Sequence, residues 1–263
     1  MKRRLRALGR VLLGALYPPR CIACRAFIPF EMALGRELET PDQPVTTEGH
    51  WFCPGCLDRL PHLQRPFCPK CAMPQTAFLD DASSHRGSLC KTCTEEPPSF
   101  EGVHAVCEYG GAAKEAIHRL KFGGDASVAK GLGALLAQRV QRDLETQLGE
   151  FVILAVPPDP GRKERLDHSA LIAANLGARL GIAPSRRALE RVRTAPPQRE
   201  LSREARLTNL VGVFRADSSI VKGRKVLLVD DVMTTGATVR EATLALVSEG
   251  VQRVDVAVFC RTF

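Results

Sequence analysis

Beyond about residue 100 the apolar positions follow two alternating patterns. Short apolar runs predict strands near 103–108, 151–156, 225–229 and 253–259. Between them, longer stretches mix apolar and polar positions at helical spacing, predicting helices near 112–121, 126–146, 166–180 and 237–249. This alternation implies an α/β domain with a largely parallel sheet over residues 101–263. Residues 21–96 instead combine few apolar runs with many cysteines, and Glu95-Glu-Pro-Pro-Ser-Phe100 marks the boundary. Nearest the N-terminus, residues 3–16 read as a helix with Leu5, Leu8, Val11, Leu12 and Leu16 on one side and Arg3, Arg6 and Arg10 on another. A basic amphipathic helix over residues 1–20 suits a cap packed on its own protein better than a membrane-surface or partner-docking segment.

Charge sharpens this division. The 263 residues carry 37 basic and 29 acidic side chains, a net of +8, and 44% are apolar. That excludes a disordered or collagen-like chain and leaves enough apolar material for one substantial core. Residues 1–20 hold six Lys/Arg and no acid, residues 21–100 seven bases against ten acids, and residues 157–215 twelve bases against six acids. No window reaches the roughly 18–20 apolar residues of a membrane span. The charged start resembles a signal peptide, but its apolar run, Val11–Leu16, is short and ends in Pro18-Pro19-Arg20 without a small-residue cleavage site. A cytoplasmic location is the expectation, with a membrane-peripheral one as the alternative.

Eight of the ten cysteines form four Cys-x-x-Cys pairs: Cys21/Cys24, Cys53/Cys56, Cys68/Cys71 and Cys90/Cys93. A two-residue gap lets both thiolates of a tight turn face one ion, and two turns complete a closed four-cysteine zinc site. Disulfides fit the spacing and the expected compartment less well. Two structural Zn2+ ions are therefore expected, in a double zinc-ribbon module. Sequential pairing leaves loops of 28 and 18 residues, and an interleaved cross-brace is the alternative. His50, His62 and His85 are near enough in sequence to substitute, but eight thiols suffice. With both ions bound, the module's formal charge becomes about minus seven, which disfavours a direct phosphate grip and favours structural or protein-docking work. Cys107 and Cys260, in strand-like runs, read as core residues.

The sharpest feature is Lys225-Val-Leu-Leu-Val-Asp-Asp-Val-Met-Thr-Thr-Gly-Ala-Thr238. A buried strand ends in two carboxylates, and a Thr/Gly loop then opens a helix whose free amides and dipole suit a phosphate. Asp230 and Asp231 can accept hydrogen bonds from vicinal hydroxyls, while Thr234, Thr235, Gly236, Ala237 and Thr238 can surround a phosphate. A sugar with a diol and a 5-phosphate satisfies both halves. No G-x-x-x-x-G-K-[ST] motif is present, which excludes a P-loop.

This segment resembles the phosphoribosyl pyrophosphate (PRPP) signature of type I phosphoribosyltransferases. Together with the four cysteine pairs, it makes the chain from about residue 16 similar to the ComF family, in which a zinc module precedes a phosphoribosyltransferase domain and which is associated with bacterial DNA uptake. Leu16-Tyr-Pro-Pro-Arg-Cys-Ile-Ala-Cys24, Tyr109-Gly-Gly and His118-Arg-Leu-Lys-Phe-Gly-Gly124 carry the likeness, as does the run from Arg193 to Asn209 with Gly212 and Phe214. The resemblance implies PRPP bound with Mg2+, ribose hydroxyls on Asp230 and Asp231, and the 5-phosphate on residues 234–238. It further implies pyrophosphate contacts from Pro157, Pro158, Arg162, Lys163 and Arg165, with Lys121, Arg193 and Arg199 as catalytic candidates. The chain departs from the family at Glu164-Arg-Leu-Asp-His168, where an Arg-Gly-aromatic run is usual, and at Ala195, where threonine is frequent.

Seven arginines against three acids over residues 186–206 add a sequence-independent attraction for phosphates, and the family resemblance implies single-stranded DNA as a partner. Aromatic content of 5% does not support a base-stacking groove. Competence-machinery proteins are expected partners of the zinc module. The expectation is a DNA-handling protein that binds PRPP and transfers a ribosyl group if turnover survives. A metabolic phosphoribosyltransferase and a PRPP sensor without chemistry are the alternatives.

Overall fold

Val226, Leu227, Leu228 and Val229 have no exposed surface, as expected of a strand covered on both faces. The structure, a computed structural model, describes residues 19–28, 51–63, 66–75, 88–161, 166–193 and 212–263. In it these four residues lie within strand β5 (Lys225–Met233). Strands β2 (Phe151–Ala155) and β6 (Arg253–Arg261) flank β5, and β1 (Val103–Glu108) pairs with β6. The order is β1-β6-β5-β2 and every pair is parallel.

Successive side chains of a strand point to opposite faces, and the core divides accordingly. Leu227 and Val229 pack with Leu120 of α1 (Gly111–Phe122), Leu132 and Leu136 of α2 (Ser127–Leu144), and Ile172 and Leu176 of α3 (His168–Leu180). Val226 and Leu228 pack with Val239 and Leu246 of α4 (Ala237–Ser248) and with the antiparallel pair β3 (Leu189–Arg191) and β4 (Phe214–Ala216). Asp167 starts α3 by accepting the Ala170 amide at 2.9 Å, and Gly181, in the left-handed region at φ 72°, ends it.

The cysteine-rich segment shares this core. Ile22, Phe52 and Leu60 belong to the cluster of α1 and α2, while Leu63, Ala72 and Phe100 belong to that of α4. Gly111 shows how closely the layers meet: at φ 44°, a Cβ there would stand 2.1 Å from the Arg59 carbonyl oxygen.

The four long strands and four long helices fall within a few residues of the sequence expectation, except that β5 runs on to Met233 and contains both aspartates. The three-residue strands β3 and β4 and the single helical turns Pro54–Leu57, Lys91–Glu95 and Ser218–Val221 have no counterpart in it. His104, at the start of β1, is held between Asp143 at 2.9 Å and Asp255 at 3.2 Å, a buried clamp far along the strand from its C-terminal end. Among the described residues no helix is long and apolar enough to cross a membrane. The expected helix over 3–16, His50, His85, Arg162, Lys163, Arg165 and Arg199 lie outside the described residues.

Candidate functional site

The C-terminal ends of parallel strands are where open α/β sheets receive ligands, and the charged groups of this chain converge there. Asp231 continues the face of β5 that carries Leu227 and Val229, and the Lys121 ammonium reaches it from the last turn of α1 at 2.7 Å. Asp230 accepts the Ser169 hydroxyl at 2.8 Å and the Asp231 amide at 2.9 Å. Burial and the neighbouring Asp231 charge push the Asp230 carboxyl up to about 7, against the opposing pull of Ser169, the amide and Lys121. The apposed carboxylates thus hold one site at the edge of ionisation.

After β5 the chain turns sharply. Gly236 caps α4 at φ 80°, and a Cβ there would stand 2.5 Å from the Met233 methyl, so only glycine makes this bend without strain. Thr234 is exposed, Thr235 and Thr238 are half-buried, and Gly236 and Ala237 are buried beneath them. The Ala237 amide donates to the Thr235 hydroxyl at 3.4 Å. A helix N-terminus behind a small-residue loop offers amides and a positive dipole to an anion.

The surrounding loops are fixed by contacts that cross long sequence distances. Pro157 is half-buried and Pro158 exposed, and the next residue, Asp159, pairs with Arg191 at 3.0 Å. Arg193 donates to the Gly212 carbonyl at 3.2 Å, and the Gly212 amide donates to Glu241 of α4 at 2.5 Å. These bonds tie Arg193 to Gly212 and Gly212 to α4. Arg193 is therefore placed beside Gly212, and Lys121 is brought to the aspartates. Ser169, Arg191, Glu241 and Arg261 were not singled out in the sequence, because a serine in a first helical turn or an arginine in a strand carries no local signal of its distant partner.

The eight paired cysteines gather as Cys21, Cys24, Cys53 and Cys56, and as Cys68, Cys71, Cys90 and Cys93, with the sulfurs of each set within 4.8 Å of one another. Pairing is thus sequential, and the cross-brace alternative is excluded. The Cys24–Cys53 and Cys71–Cys90 sulfurs stand 3.6 and 3.5 Å apart, close to the ~3.8 Å edge of a tetrahedron with ~2.3 Å zinc–sulfur bonds. Both sites repeat one plan: a turn with a left-handed residue after its second cysteine, Arg25 at φ 67° or Ala72 at φ 58°, faces a cysteine pair on a helical turn. A hydrogen bond from Cys71 pushes Cys68 down to about 4, and the same bond pushes Cys71 up. The gathered sulfurs of each set could hold one zinc. None of the ten cysteines forms a disulfide. His62 is exposed and belongs to neither set, and Cys107 and Cys260 are buried register partners on β1 and β6.

The phosphoribosyl transferase domain family matches residues 170–262. DNA utilization protein YhgH of Shigella flexneri is 32% identical over 219 residues, covering 81% of this chain and 92% of its own length. Competence protein ComFC of Bacillus subtilis is 24% identical, covering 80% of each chain. Competence protein F of Haemophilus influenzae is 28% identical, covering 78% of this chain and 88% of its own.

Proposed function

We infer the function from the premise that this chain belongs to the ComF family, competence-related proteins with a phosphoribosyltransferase fold. We propose that the cleft at the end of β5 binds PRPP with Mg2+. Asp230 and Asp231 accept hydrogen bonds from the ribose hydroxyls, and residues 234–238 surround the 5-phosphate with hydroxyls, amides and the α4 N-terminus. The observation that carries this reading is the juxtaposition of two carboxylates and the Gly236 bend on one strand end, with Lys121 drawn to the same point from α1. Lys121 exchanges its carboxylate partner for the ligand's anionic oxygens on binding. Arg193, Arg199 and the loop of Pro157, Pro158, Arg162, Lys163 and Arg165 are assigned to the pyrophosphate. When bound, Mg2+ neutralises pyrophosphate charge for departure from the sugar. Two zinc ions hold the module.

The relatives' names, DNA utilization and competence, support a role in handling incoming single-stranded DNA, with the arginine-rich edge as its contact and the zinc module as the docking face for partner proteins. Calorimetry with PRPP and Mg2+ on the zinc-loaded chain tests the central assignment. Saturable binding is expected, and Asp230→Asn or Asp231→Asn should each weaken it about 10- to 100-fold, the loss of a charge-assisted hydrogen bond. Unchanged affinity in both variants removes the assignment. A pyrophosphate-release assay across candidate acceptors then separates transfer from binding alone.

A further inference from the structure

Arg261, the last residue of β6, is 4% exposed. Its guanidinium bonds main-chain carbonyls from three parts of the chain. It donates to Cys71 in the second four-cysteine set at 3.1 Å, to Met233 at 3.1 Å, to Thr234, and to Thr262 at 2.5 Å. The Met233 carbonyl also accepts the Thr262 amide at 3.0 Å. Met233 and Thr234 are the entry to the Gly236 bend. The oxygens that accept from Arg261 are all neutral carbonyls, so the buried guanidinium charge must be balanced by its wider surroundings. Burial lowers the guanidinium pKa, and Cys71, Cys90 and Cys93 of the second four-cysteine set each act electrostatically in the opposite direction. With zinc bound, that set carries a formal charge of minus two.

We propose that Arg261 is a positioning residue that makes the second four-cysteine site the support of the phosphate loop: the metal site balances the guanidinium charge and fixes the Cys71 carbonyl, and the guanidinium holds Met233 and Thr234 in place. This deepens the PRPP reading and rests on it for the loop's purpose, although the coupling itself can be measured without ligand. The first four-cysteine site makes a different set of contacts: Arg119 of α1 donates to the Cys21 and Ala23 carbonyls at 3.4 and 3.2 Å, and Arg59 donates to the Cys56 sulfur at 3.1 Å. The two metal sites are thereby assigned different duties, the first to brace α1 and the second to shape the loop.

Hydrogen exchange of the zinc-loaded full chain tests the coupling, with metal content measured in parallel. In Arg261→Met, the amides of residues 234–238 should exchange on the order of tenfold faster, while Val226–Leu228 and the zinc content of two per chain stay as in the wild type. Arg261→Lys, which keeps the charge but not the planar fork, should recover part of the protection. Cys90→Ser, which weakens the second site alone, should accelerate the same amides, and Cys53→Ser, at the first site, should not. PRPP affinity, measured alongside, should fall in Arg261→Met and Cys90→Ser. Loop exchange that stays at the wild-type rate in Arg261→Met, or that responds equally to Cys53→Ser and Cys90→Ser, overturns the coupling. A wild-type chain that does not bind PRPP refutes the site assignment instead, and the exchange pattern still decides the coupling.

Discussion

Ser169 acts on the site through Asp230. Its hydroxyl, given to Asp230 at 2.8 Å from the first turn of α3, stabilises the ionised carboxylate, against the burial and the Asp231 charge that push the group up to about 7. A ligand whose hydroxyls donate to Asp230 requires the ionised form. PRPP affinity should therefore rise as the pH passes upward through about 7 and level off above it, by up to about tenfold per pH unit on the acidic side. Ser169→Ala removes an interaction that favours the charged form, so the midpoint should move to higher pH. Calorimetric titration of wild type and Ser169→Ala from pH 5.5 to 8.5 checks both statements, and a midpoint that falls or stays in the variant refutes the role given to Ser169. His104 shows the converse balance elsewhere: burial pulls its pKa down, but Asp143 and Asp255 outweigh it and hold the pKa up. Its contribution to stability is present at low pH and is lost as pH rises through that raised value.

At the scale of elements, the strand-turn-helix of β5 and α4 sets the geometry of the site. Gly236→Ala places a Cβ 2.5 Å from the Met233 methyl in a residue at φ 80°, a strain of about 1–2 kcal/mol. The expected result is a modest fall in the midpoint of thermal unfolding, with PRPP affinity reduced by an order of magnitude or more because the loop amides are displaced. Full retention of affinity would show that the bend tolerates a side chain and does not define the phosphate site. This element was legible in the sequence because it is local: an unbroken apolar run, two acids, and a Thr/Gly turn lie within fourteen residues. The buried central strands and the amphipathic helices were legible for the same reason. The β3–β4 pair was not, since Leu-Glu-Arg and Phe-Arg-Ala are three-residue edge segments with polar positions between the buried ones. The cysteine spacing pointed to two four-thiol sets, while their sequential pairing needed the packing of Ile22 and Phe52 against the helices to become visible. Arg261 was hidden altogether, because a charged residue at the end of an apolar run reads from sequence as a solvated strand terminus.

For the molecule as a whole, the structure redistributes the roles of the basic stretch from Arg186 to Arg206. Arg191 is turned inward, its side chain 9% exposed and paired with Asp159. Arg193 is bonded to the Gly212 carbonyl. Arg186 and Arg187, between α3 and β3, are exposed, as Arg193 is. Four neighbouring arginines that look equivalent as a charge run thus divide into one turned inward, one exposed but bonded to the main chain, and two that face solvent. The cysteine-rich segment 21–100 has ten acids against seven bases, so the proposed contact with nucleic acid is assigned to the α/β domain's edge. The affinity for a mixed-sequence single-stranded oligonucleotide should fall steeply with salt. Replacing Arg186 and Arg187 together by Ala should reduce the slope of log affinity against log salt by about 1.4, two phosphate contacts at ~0.7 each, with thermal stability unchanged. Arg191→Ala should instead lower stability by detaching the 157–161 loop, and leave that slope where it was. Fluorescence anisotropy over a salt series, paired with thermal denaturation, separates the two classes. If Arg186→Ala/Arg187→Ala and Arg191→Ala change the slope alike, the burial of Arg191 does not withdraw it from solvent, and the basic stretch acts as one undivided surface.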